Sequence, residues 1–97
     1  MRSHIYISKK GDRVVIANYL ANFKTKSNTE LCAAYNSTQA KGFFGAHQQG
    51  LYVIAMHLTF MKRWGRSPIT VTDNVLIEFT RSIDLVGGSW VYTSIIN

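Results

Sequence analysis

The chain predicts an α+β domain in which an antiparallel sheet, built from an N-terminal hairpin and C-terminal hairpins, carries two helices on one face, the second helix long and largely buried. Three observations predict it. Lys9-Lys10-Gly11-Asp12 is turn chemistry between two β-prone runs, helical patterns with end signals occupy the middle, and β-branched runs split by Asp73-Asn74 and Gly87-Gly88 fill the last third. A length of 97 residues has room for one core, so residues 1–97 are read as a single domain.

His4 to Ser8 alternates and is rich in β-branched and aromatic types, which predicts the first strand. The run from Arg13 is read as its hairpin partner, because Val14-Val15-Ile16 prefers strand. A helix over 13–23 is the alternative, since Ile16, Tyr19, Leu20 and Phe23 fall at i, i+3, i+4 and i+7.

Ser27-Asn28-Thr29-Glu30 matches a capping box, in which hydroxyl and carboxylate each accept the other residue's backbone N–H. The helix that follows turns Leu31, Ala34, Tyr35 and Thr38 inward and stops soon after Ala40, before Gly42.

The longest helix is expected from Gly45 to Arg66, ended by Gly65 at C′ and by Pro68 beyond. Leu51, Ile54, Ala55, Leu58 and Met61 form one apolar face, and Val53, Met56, Phe60 and Trp64 a second. The polar strip is Gln48, Tyr52, Thr59, Lys62 and Arg66. A helix apolar nearly all round is a buried one. On this phase Leu58→Ala opens a cavity and costs on the order of 2–5 kcal/mol, whereas Thr59→Ala costs about 0.5 kcal/mol or less.

Beyond Pro68, Ile69 to Val71 and Val75 to Thr80 read as strands around the Asp73-Asn74 turn, a helix over 74–86 being the alternative. Ile83 to Val86 and Ser89 to Ile96 flank a Gly-Gly pair, a strong hairpin signal.

Apolar residues at 46% against 16% charged exclude the disordered class. No apolar run reaches the roughly 20 residues that span a bilayer, and the first residues do not open onto a secretory signal. With Cys32 as the single cysteine, no intrachain disulfide or cysteine-based zinc site forms, so a reducing cytoplasm is the expected compartment and no membrane is expected.

The formal charge of +6 is uneven. Residues 1–66 hold ten of the eleven Lys and Arg against Asp12 and Glu30, a balance of +8, and residues 67–97 hold Arg81 against Asp73, Glu78 and Asp84, a balance of −2. Such a charge attracts anionic partners. The expected function is therefore a non-enzymatic binding module for nucleic acid or an acidic protein, acting through Lys9, Lys10, Arg13, Lys62, Arg63 and Arg66. Tyr6, Tyr19, Trp90 and Tyr92 are expected to offer an aromatic surface to bases or to a protein. A homodimer is the expected assembly.

The alternative is a small metal-free ribonuclease-like or toxin-type enzyme, since His47, His57, Arg63, Arg66 and Tyr52 are the residue types such chemistry uses. His47 and His57 stand ten positions apart, about 15 Å along a helix, so they cannot chelate one metal. No zinc, phosphate-loop, dinucleotide or serine-hydrolase motif occurs, and no cofactor or metal is expected. His57 reads as a packed core histidine and Cys32 as a small buried hydrophobe. His47, Gln48 and Tyr52, beside the glycine-rich start of the long helix, are the residues expected to line a ligand pocket.

Overall fold

The computed structural model describes residues 2–4, 10–41, 47–72, 76–79 and 81–93. The elements run β1 (Arg2–His4), α1 (Lys10–Lys24), α2 (Asn28–Lys41), α3 (His47–Trp64), β2 (Ile69–Thr72), β3 (Leu76–Phe79), β4 (Ile83–Val86) and β5 (Ser89–Tyr92). The class is α+β, and the arrangement differs from the expected one in two respects.

The first concerns the expected hairpin partner from Arg13, which is helix α1. In a strand Val14 and Ile16 would share a face. Here Val14 is 59% exposed and Ile16 only 8%, the contrast a helical turn produces. The stripe Ile16, Tyr19, Leu20 and Phe23 packs against the core, and its burial overrides the local β preference of Val14-Val15-Ile16.

The second concerns the sheet. With residues 10–24 helical, the element that follows β1 among the described residues is a helix, and β1 pairs with β3, Arg2 lying opposite Glu78 and His4 opposite Leu76. Among the described residues two sheets result, both antiparallel: one of order β1-β3-β2, and a separate β4-β5 hairpin. The strand expected over His4 to Ser8 extends beyond the described residues, as do the Asp73-Asn74 turn and the Gly42 to Ala46 segment.

Local signals place the other ends. Ser27 N–H donates to Glu30 Oε1 at 2.8 Å and Glu30 N–H donates to Ser27 Oγ at 3.1 Å, so the capping box opens α2 as read. Those bonds hold the Glu30 carboxyl below its ordinary range, the Ser27 backbone N–H contributing most. Gly65 follows α3 at φ 72°, its N–H donating to the Met61 carbonyl at 2.8 Å. Gly87 and Gly88 have φ of 61° and 83°, the conformation of a two-residue turn with both central residues left-handed.

The core gathers around α3, where Val53, Ala55, Met56 and Phe60 have no exposure. Tyr35 from α2 meets Phe60 and Phe79 edge-on, both centroids at 6.0 Å, joining α2, α3 and β3. The expected phase of α3 is wrong at Leu58, Thr59, Met61 and Tyr52. Thr59 is 7% exposed while Leu58 and Met61 are 42% exposed, so Leu58 is not a core residue and Thr59 does not belong to a polar strip. The Thr59 hydroxyl donates to the Ala55 carbonyl at 2.8 Å, which satisfies it inside its own helix and permits its burial. Tyr52 is likewise turned inward, half-buried against Phe23 with ring centroids 5.2 Å apart.

Candidate functional site

Helices α1 and α3 pack along one another and leave a groove between them. On α1 the residues Arg13, Ala17, Leu20 and Lys24 recur at steps of four, three and four and form one wall. On α3 the opposite wall is Ile54, Leu58 and Lys62, at steps of four. Leu20 and Leu58 face both halves of the groove.

One half is a cavity of about 380 Å³ whose rim carries Arg13 and whose walls include Ile16, His57 and Val71. The other, of about 500 Å³, is bounded by Lys24 and Lys62. The groove is thus apolar in the middle and cationic at both ends. Among the described residues no ion pair or hydrogen bond occupies Arg13, Lys24 or Lys62.

His57 sits in the wall of the Arg13 half. Burial holds its imidazole below the ordinary histidine value, opposed by a hydrogen bond to the Ile69 backbone. Its Nδ1 is buried and has no hydrogen-bond partner among the described residues. At neutral pH the ring is therefore uncharged.

The other residues expected to bind are placed differently. Arg63 is an internal clamp: its guanidinium donates to the carbonyls of Phe23 at 2.9 Å and Lys26 at 2.7 Å, and to Asn28 Oδ1 at 2.9 Å. It closes the carbonyl end of α1 and orients the start of α2, a use that suits the planar fork of Arg. Arg66 lies over the Trp90 ring at 4.0 Å and donates to the Trp90 carbonyl and to Ser89 Oγ. Trp90 returns a bond from Nε1 to the Arg66 carbonyl at 3.2 Å, and Trp64 Nε1 donates to the Gly88 carbonyl at 2.9 Å. These contacts fasten the β4-β5 hairpin to the end of α3. Lys9 lies outside the described residues, and Lys10 opens α1 with its side chain outside them. Of the two basic clusters, then, Arg13 lines one end of the groove and Lys62 the other, where Arg63 also enters the wall while its guanidinium is engaged in the clamp.

Neither half of this groove takes a wall from Gln48 or Tyr52. The Tyr19 hydroxyl donates to Gln48 Oε1 at 3.4 Å and its ring meets Tyr52 edge-on at 5.2 Å, so both residues contact α1. Burial, and then Tyr19, raise the Tyr52 hydroxyl above its usual pKa. The side chain of His47 is outside the described residues. Trp90, 2% exposed, is core, and Tyr92 packs against it with centroids 5.1 Å apart. Cys32 is buried, which raises its thiol pKa despite nearby Arg63 and keeps it protonated.

Sequence reading missed Leu20, Lys24 and the exposed side of Leu58. The signal was present in the i, i+4, i+7, i+11 spacing of Arg13, Ala17, Leu20 and Lys24, and it is visible only once residues 13–24 are taken as helix. Among the described residues no helix is long and apolar enough to cross a membrane, and no three His, Cys, Asp or Glu groups gather where they could hold a metal ion. Comparison with protein-family models, with curated proteins and with solved structures finds no match to this chain.

Proposed function

We propose that this chain is a binding module whose groove between α1 and α3 receives an acidic, partly apolar segment of another protein. The observation that carries the reading is the exposure of Leu58, 42%, in the wall of a groove whose ends are cationic, with the equally exposed Met61 on the same helix. Leucine-sized side chains left facing solvent along a groove are suited to a protein partner. The +8 balance of residues 1–66 speeds encounter with an acidic one.

Nucleic acid receives less support from the same geometry. The Arg63 guanidinium is bonded to two carbonyls and Asn28, one Arg66 nitrogen is bonded to the β4-β5 hairpin, Trp90 is buried, and the middle of the groove offers apolar surface to a phosphate chain.

Titration of the protein with an acidic amphipathic peptide, and separately with single-stranded and duplex oligonucleotides, each at two salt concentrations, tests the reading. Peptide binding that Leu58→Glu abolishes is the expected result. Oligonucleotide binding that falls steeply with salt, without peptide binding, would replace this reading with the nucleic-acid one, and cleavage of RNA by the purified protein would replace it with the enzymatic one.

A further inference from the structure

We infer that the occupant of the groove is a helical segment of about three turns, acidic at both ends and leucine-like in the middle, spaced to meet Arg13 at one end and Lys24 with Lys62 at the other. The inference rests on the protein-binding reading above and specifies the partner.

The spacing comes from α1. Arg13 and Lys24 stand eleven positions apart, which is close to three full turns, so both lie on the groove side and about 16 Å apart along the axis. A partner helix laid along α1 and α3 has the same rise. Acids at i and i+11 reach the two cationic ends, and apolar side chains at i+4 and i+7 fall against Leu20 and Leu58. The groove has two cavities, of about 380 and 500 Å³, on either side of those leucines, so each apolar side chain has its own recess.

Other occupants answer fewer of these features. An extended strand needs free backbone donors and acceptors along its docking edge, and the two walls that run the length of the groove are helices whose backbone groups are bonded internally, β2 entering only through Val71 at the Arg13 end. A fatty acid has one anionic end and would leave the cations of the other end unanswered. A phosphate chain would set its central charges against Leu20 and Leu58.

The experiment uses two fluorescent synthetic peptides of the same composition and net charge. One has Glu at positions eleven apart with Leu at the fourth and seventh positions between; the other exchanges those Glu and Leu residues. Anisotropy against the full chain should give binding at least about tenfold tighter for the first peptide. Circular dichroism should report helix gained by the peptide on binding.

Leu58→Glu should weaken the first peptide by about tenfold or more. Arg13→Ala and Lys62→Ala should each weaken it by about two- to fivefold, and the double variant by the product, since the two cations act at separate ends. Thermal melts of the variants establish that they fold. Equal affinity for the two peptides, or loss of affinity on substitution at one end only, would overturn the spacing inference and leave the protein-binding reading standing. Failure of both peptides to bind would overturn the two together.

Discussion

Asn36 on α2 pairs with the backbone of Ile83 on β4 as a neighbouring strand would: its Nδ2 donates to the Ile83 carbonyl and its Oδ1 accepts the Ile83 N–H, both at 2.8 Å. Ile83 lies opposite Tyr92, and the flanking Thr93 N–H donates to the Ser82 carbonyl across the hairpin, so the polar groups of Ile83 point away from β5 and toward α2. The side chain therefore satisfies an edge that would otherwise be open to pairing with another chain.

Replacing Asn36 tests this edge contact. Asn36→Ala should cost about 1–3 kcal/mol, because it leaves a partly buried N–H and C=O without partners. Asn36→Asp keeps the acceptor and loses the donor, so it should destabilise at neutral pH as well. Urea melts measure both, and stability equal to wild type in Asn36→Ala would mean that the pairing contributes nothing.

Arg63 should behave as a structural residue and not as a ligand contact. Arg63→Ala should lower stability by about 2–3 kcal/mol through loss of charge-assisted bonds to Phe23, Lys26 and Asn28. Arg63→Lys should restore less than half, since an ammonium cannot span the three acceptors. Denaturant midpoints decide it; a lysine variant as stable as wild type would show that charge alone suffices.

The corrected phase of α3 lowers the expected cost of truncating Leu58. Leu58→Ala, at a half-open position, should cost about 1 kcal/mol, and Phe60→Ala, fully buried, about 3–5 kcal/mol. Thr59→Val exchanges the buried hydroxyl for a methyl group and removes only a bond internal to its own helix, so it should change stability by less than about 1 kcal/mol. Chemical melts of the three variants would expose a wrong phase if Leu58→Ala proved as damaging as Phe60→Ala.

His57 should make stability depend on pH. Its folded pKa is below the 6.5 of the ordinary imidazole, so the unfolded chain binds the proton more readily. Stability from this group is full above the unfolded value and is lost as pH falls through 6.5 toward the folded value. His57→Gln should flatten that part of the profile. An acidic group bound at the Arg13 end would favour the charged imidazole, so peptide affinity should rise as pH falls through the same window, and should stop rising in His57→Gln. Melting temperature and anisotropy across pH 5 to 8 read the two effects separately; a wild-type profile as flat as the variant's would remove His57 from both.

What the residues specify by themselves are the features closed by neighbours in the chain. Ser27 and Glu30 satisfy each other's backbone N–H, Gly65 ends α3 because a left-handed residue is needed there, and Gly87-Gly88 sets the β4-β5 hairpin because both turn positions have positive φ. Each is a matter of a few adjacent dihedrals and is legible without the fold.

The rest depended on which surfaces meet. Residues 13–23 carry strand and helix signals of similar strength, and only burial of Ile16 and Phe23 against the core chooses helix. That choice frees β1 to pair with β3, far away in sequence. Helix α3 is apolar on most of its circumference, so hydropathy does not say which strip faces water. Tertiary packing decides it, burying Thr59, whose hydroxyl is satisfied within the helix, and leaving Leu58 exposed in the wall of the groove. The groove belongs to that second class, because its walls come from two helices whose relative placement no local sequence signal contains.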